Sequence, residues 1–386
     1  MHELQHCRAR NTAIENNHKT RQCHLNIKPF GKYLLSKHIS EDADDFWLGI
    51  ARPSSQAQDV PNADSVYHAL MTVEPLLDVV PLDEQFGIWP RKTVPDGLRE
   101  ALFGQQDRTK PEESFAVLDA AKVFGLADFL DSEDLTYRCL FKGAAETDLR
   151  DVAPYLVQLD EASDLTRRLF TRSQRAGGLW DNVPGIYLRT TASFDTLWRH
   201  LRRFIRVQDE NGAWMYFRFW EMHCLHHYLT TIADSPTLAQ YWSATRDGHP
   251  LCYVMSDGSD WNLVRGSATV AAKPPFQMTR ESRDVLAQYQ HRRFHIRLAN
   301  YLQRETGDLE ICTASKAADL TERAIRHGFT IEKAIGDFAL AALLADSDFL
   351  TTSEVKQLLA TQQHQLDKAC KILSLARANS SFRRPL

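Results

Sequence analysis

No stretch of this 386-residue chain approaches the ~18 uninterrupted apolar residues needed to cross a bilayer. The amino terminus also lacks the roughly 7–15-residue apolar core of a signal peptide. A soluble, cytoplasmic protein without membrane insertion is therefore expected. Cysteine is scarce: Cys7, Cys23, Cys139, Cys224, Cys252, Cys312 and Cys370 are scattered and never form a C-x-x-C pair, a pattern suited to a reducing compartment. Charge of one sign is lacking too. With 46 basic against 50 acidic residues and a net charge of −4, no global field would hold a polyanion such as DNA or an acidic bilayer. Nucleotide-binding apparatus is missing: there is no G-x-x-x-x-G-K-[ST] loop, and no G-x-G-x-x-G follows a strand.

What is present is an ordinary globular mixture, 43% hydrophobic and 25% charged, long enough for two domains. Residues 1–45 are polar and aperiodic and read as an extension; His6, Cys7, Cys23 and His24 match no zinc spacing. Residues 46–270 alternate short apolar runs with amphipathic segments and predict a mixed α/β domain. Ser114 to Asp119 reads as a buried strand. Phe194, Leu197, Trp198, Leu201, Phe204 and Ile205 repeat at helical spacing behind Ser193, predicting a capped helix over 193–206. Asn211-Gly212 then predicts a turn, and "AWMYFRFW" an aromatic strand. A shift to small residues around Gly266 to Gln277, with Pro274-Pro275, suggests a boundary. Residues 278–378 read as helical: Ile331, Ala334, Ile335, Phe338, Ala339 and Ala342 share a face, and Thr351 to Glu354 has capping-box spacing before a helix expected to pair antiparallel with the preceding one. The fold class expected is α+β.

The segment "MYFRFWEMHCLHH" ends with His223, His226 and His227 close together, so a two-histidine metal site, and with it a metal-dependent hydrolase, is geometrically possible on a helix. The segment lacks H-E-x-x-H order, because Glu221 precedes the first histidine. The expectation is a helix start with no metal, no cofactor and no catalytic residues. Ser256 to Asp260 reads as a polar turn without G-x-S-x-G spacing. Asp119 could be an acid or base, or a cap for the next helix. Arg199, Arg202, Arg203 and Arg206 oppose the single acid Asp195 on the 193–206 segment, offering either a nucleic-acid face or a solvated, partner-facing one. Trp214, Trp220 and Trp242 are candidate contact anchors or core residues.

"FAVLDAAK" (115–122), "CLFKG" (139–143), "APYLVQL" (153–159), "GIYLRTTASFDTLWRHLRRFIRVQDENG" (185–212) and "FRFWE" (217–221) follow one another in an order that resembles type VI secretion adaptor chaperones of the domain of unknown function 4123 family. In the family's late motif, Arg-Phe-Tyr-Asp-Pro-Arg, Arg218 and Phe219 match, and Trp220 and Glu221 keep an aromatic and a carboxylate. Met222 and His223 replace the proline and arginine. The resemblance implies a non-enzymatic adaptor in the cytoplasm of a Gram-negative bacterium. It would bind a toxin effector and help mount it on the VgrG spike, with Arg218, Trp220 and Glu221 joining the arginines and tryptophans as partner-binding candidates.

Overall fold

The structure, a computed structural model, describes residues 70–105, 109, 111–174, 177–268, 275–310, 312–345 and 349–379. The expected extension at 1–45, with His6, Cys7, Cys23 and His24, lies outside the described residues. The chain divides into two compact units between Arg293 and Phe294, inside the helix Arg280–Thr306. The composition shift at 266–277 lies upstream of that division.

Among its described residues the first unit has ten strands: β1 (Met71–Leu76), β2 (Glu113–Asp119), β3 (Tyr137–Cys139), β4 (Pro154–Gln158), β5 (Gly185–Thr190), β6 (Arg206–Asp209), β7 (Trp214–Tyr216), β8 (Cys252–Ser256), β9 (Trp261–Gly266) and β10 (Gln277–Met278). Seven form one sheet in the order β1-β9-β8-β5-β2-β4-β3, with every pairing antiparallel. Its centre explains the unbroken apolar runs. Phe115, Ala116, Val117 and Leu118 are all fully buried, as are Ile186 and Leu188, so these strands need apolar side chains on both faces rather than an alternating pattern. Helices Asp96–Phe103, Met222–Ile232 and Pro236–Ser243 pack on β2, β5, β8 and β9. Where β5 meets β2, Gly185 is obligatory: a Cβ there would sit 1.8 Å from the Val117 carbonyl oxygen.

The helix after β5 begins as expected, with the Ser193 hydroxyl accepting from the Thr196 N–H. It ends sooner, at Arg202, with Arg203 as its C-cap. Phe204 and Ile205 continue the apolar period in sequence but are buried in a turn, and Arg206 opens β6 instead of ending the helix. The Asn211-Gly212 turn forms, with Gly212 at φ +81° and the Asp209 carboxylate accepting from the Asn211 and Ala213 N–H groups. The aromatic strand is only Trp214–Tyr216; Phe217 to Trp220 leave it and turn into the next helix. β6 and β7, with β10 parallel to β6, make a small second sheet in the order β10-β6-β7.

The second unit is helical among its described residues. Its core gathers Phe294, Leu298, Leu320, Phe329, Phe338, Val355 and Ile372. Helix Glu332–Leu344 carries the expected apolar face, but its principal partners are the last helix, Gln365–Asn379, and Ala314–Arg326, rather than the next helix in sequence, Ser353–Ala360. The N-cap of helix Ser353–Ala360 is Thr352, one residue beyond the Thr351 expected from the capping-box spacing. Thr352 makes no side-chain cap bond, because its hydroxyl donates to the Phe349 carbonyl and closes a 3-10 turn.

Candidate functional site

Charged residues within otherwise apolar segments need partners once the segments are buried. Asp119 and Lys122 end the first motif segment, and Arg218 and Glu221 sit in the last; the fold brings the four together. The Asp119 carboxylate, 1% exposed, faces Arg218 Nη2 at 2.8 Å. It also accepts from the Ala121 N–H at 3.1 Å, fixing the chain's turn off β2. Asp119 is therefore neither the cap of the next helix, which begins behind Gly125, nor an open acid. Glu221 Oε1 lies 3.9 Å from Lys122 Nζ and 3.5 Å from Arg293 Nη1. Its Oε2 accepts from the Cys224 N–H at 2.7 Å and the Tyr289 hydroxyl at 3.1 Å.

Burial pushes the Lys122 ammonium below the ordinary lysine range, opposed by the carboxylates of Glu221 and Asp119. Burial, and then Glu221, push the Tyr289 phenol up, so it stays protonated and donates. The arrangement is a clasp with Lys122, Arg218 and Arg293 around Asp119 and Glu221. It pins the end of β2 to the start of helix Met222–Ile232. Sequence reasoning missed Lys122, Tyr289 and Arg293; the charge embedded in the first motif segment was the available signal for Lys122, whereas Tyr289 and Arg293 lie outside the motif segments.

The Cys224 bond makes Glu221 the N-cap of helix Met222–Ile232, so the histidine-rich segment does start a helix. Its three histidines are engaged separately. His226 is buried with Nε2 2.7 Å from Asn262 Oδ1 on β9. His227 stacks on Tyr289 with centroids 5.6 Å apart. His223 lies against Gly258, whose added Cβ would sit 3.6 Å from its ring. Burial lowers the pKa of both His223 and His227 below the ordinary histidine value. Among the described residues no group of three or more His, Cys, Asp or Glu could hold a metal. The chain's H-E-x-x-H spacing, His2 to His6, lies outside the described residues. Ser256 to Asp260 is the hairpin turn between β8 and β9, its Asp257 carboxylate accepting from the Ser259 and Asp260 N–H groups.

The arginine candidates separate. Arg202 Nε donates to the Leu140 carbonyl at 3.0 Å and its guanidinium covers Trp198 at 4.6 Å, while Arg138 covers the same ring at 4.9 Å. Arg203 Nη2 lies 2.7 Å from His200 Nδ1, and burial lowers its pKa. Arg199 is exposed and bonds back to the Asp195 carbonyl. Arg206, on β6, lies 4.5 Å over the Trp214 ring. Two of the four arginines are thus committed to the fold, and the expected continuous basic helix face is broken where the helix ends.

The tryptophans separate as well. Trp214 is 57% exposed, whereas Trp220 and Trp242 are 2% and 0% exposed. Trp242 stacks on Phe204 at 4.1 Å and meets Phe217, Tyr228 and Phe276 edge-on. Trp220 packs edge-on against Phe219 and Phe141. Of the residues expected to bind a partner, Trp220, Glu221 and Trp242 are buried, while Arg199, Arg206, Trp214 and the partly exposed Arg218 reach solvent.

Residues 114–239 match the family model described as Domain of unknown function (DUF4123), a family associated with type VI secretion effector adaptors. The matched segment runs from β2 to the helix Pro236–Ser243 and contains β2 to β7. No curated protein and no solved structure matches the chain. No described helix is long and apolar enough to cross a membrane.

Proposed function

We propose that this chain is a non-catalytic adaptor of type VI secretion that binds a toxin effector in the cytoplasm and promotes its loading onto the VgrG spike. The observation that carries the reading is the match of residues 114–239 to a family associated with such adaptors. The fold is compatible with it in physical terms. The charged residues of the first and last motif segments are used against each other in the clasp, Asp119 with Arg218 and Lys122 with Glu221. This is the arrangement of a scaffold holding two segments in register, with solvent-facing residues left for recognition.

The test is co-purification. The intact chain, co-expressed with the spike protein and the candidate toxins encoded beside it, is expected to elute from a size-exclusion column in a complex with a toxin and, when all are present, with the spike. Elution of the chain alone in the presence of every neighbouring candidate would refute the reading. The metal-dependent hydrolase built on His223, His226 and His227 has the opposite signature: stoichiometric zinc in the purified protein, lost together with turnover on His223→Ala.

A further inference from the structure

An edge strand exposes a row of backbone N–H and C=O groups that can pair with another chain, and proteins ordinarily shield such edges. β7 is the outer strand of the small sheet, with β6 on one side and no described strand on the other. The hydrogen bonds that flank this hairpin fix which groups point outward. Asp209 N–H donates to the Ala213 carbonyl, and Phe217 N–H to the Ile205 carbonyl. In an antiparallel ladder hydrogen-bonded pairs alternate with non-bonded ones. Val207 and Met215 are therefore the bonded pair between those two, and the pairs Gln208↔Trp214 and Arg206↔Tyr216 are non-bonded. The backbone N–H and C=O of Trp214 and Tyr216 thus face away from β6, toward the open edge.

The side chains of the same residues are exposed at 57% and 52%. On the strand's period of two they share a face with Arg206 and Gln208, while Met215 turns toward the core. Arg206 lies over Trp214 at 4.5 Å and meets no carboxylate among the described residues. The strip therefore combines outward backbone groups, two aromatic rings and a cation without a carboxylate partner among the described residues.

We propose that β7 receives an extended segment of the toxin effector, added as a fourth strand beside Trp214–Tyr216, with a carboxylate of that segment meeting Arg206 and apolar side chains lying on Trp214 and Tyr216. Strand addition supplies affinity through main-chain bonds and specificity through alternate side chains. The proposal rests on the adaptor reading above. The occupant's chemistry follows from the strip itself, which calls for an extended segment carrying an acidic side chain opposite Arg206, and the spike is the alternative occupant that the experiment separates from the toxin.

The experiment uses the intact chain with the purified toxin and the purified spike protein encoded beside it, and reads hydrogen exchange at individual amides together with affinity. In the free chain the Trp214 and Tyr216 amides are expected to exchange quickly. In the toxin complex they should be protected, by about tenfold or more, while the spike alone leaves them unchanged. Arg206→Glu and Trp214→Ala, both at the surface, should each weaken toxin binding by about tenfold or more, with unchanged tryptophan-reported unfolding of the Arg206→Glu variant showing that the fold is kept. A toxin complex in which these amides stay unprotected and both variants bind normally overturns the strand assignment and leaves the adaptor reading standing. Protection by the spike instead of the toxin overturns the choice of occupant. Failure of the unaltered chain to bind either protein removes the adaptor reading and the assignment with it.

Discussion

Glu221 combines two tasks that can be separated by substitution. Its Oε2 caps the helix Met222–Ile232 through the Cys224 N–H, and its Oε1 offsets Lys122 and Arg293. Glu221→Ala removes both. Losing a cap costs about 1 kcal/mol, and leaving a buried charge without its partner costs about 3–5 kcal/mol. The side chain of Lys122 is 25% exposed and that of Arg293 40% exposed, so water screens part of the second term, and about 3 kcal/mol in total is expected. Glu221→Gln keeps an oxygen for Cys224 and loses only the charge, so it should fall about 1 kcal/mol short of the alanine variant. Seven of the eight tryptophans, from Trp89 to Trp261, belong to the unit ending at Arg293, so the fluorescence change reports chiefly that unit, which reduces the ambiguity of a two-unit unfolding curve. In urea, with a slope of about 2–3 kcal/mol per molar, Glu221→Ala should lower the midpoint by about 1 M. A shift below about 0.3 M, or identical shifts for Gln and Ala, would refute the account of the clasp.

Trp242→Ala should destabilise the same unit by about 3–5 kcal/mol, read as a matching drop in the urea midpoint, because the ring is fully enclosed by Phe204, Phe217 and Tyr228. Gly185→Ala should abolish recovery of soluble protein or cost more than about 4 kcal/mol, since β5 would have to move off the Val117 carbonyl; a folded variant with an unchanged midpoint would contradict the described packing. Acidification should weaken the unit. The folded pKa values of His223 and His227 are depressed by burial, so their contribution is complete above about 6.5, the unfolded value, and is lost as pH falls through the folded values, where the unfolded chain binds more protons. Midpoints at pH 7.5 and 5.5 should differ more for the unaltered protein than for His223→Asn.

The reading of the fold from sequence succeeded where the cause was local. The apolar run at 114–119 needed only its own composition to be identified as a strand, and Ser193 needed only the next three residues to cap a helix. It failed where a distant partner decides. The apolar period persists through Phe204 and Ile205, so nothing nearby ends the helix at Arg202; Phe204 is held in the aromatic cluster around Trp242, and Ile205 is buried beside it in sequence. Asp119 and Arg218 are 99 residues apart, and their pairing depends on the whole sheet being assembled. Exposure of the tryptophans was likewise illegible, since Trp214 and Trp242 differ only in what folds over them.

The strand order carries a further consequence for how the molecule is made. Of the described strands β1 leaves the ribosome first, yet it lies beside β9, with Met71 opposite Gly266 and Leu76 opposite Trp261. At about 5–20 residues per second, the first strand waits on the order of 10–40 s for its neighbour to be translated. Throughout that interval the nascent polypeptide carries an unsatisfied β segment, and a chain stopped before residue 261 would expose the side of β8 that β9 normally occupies.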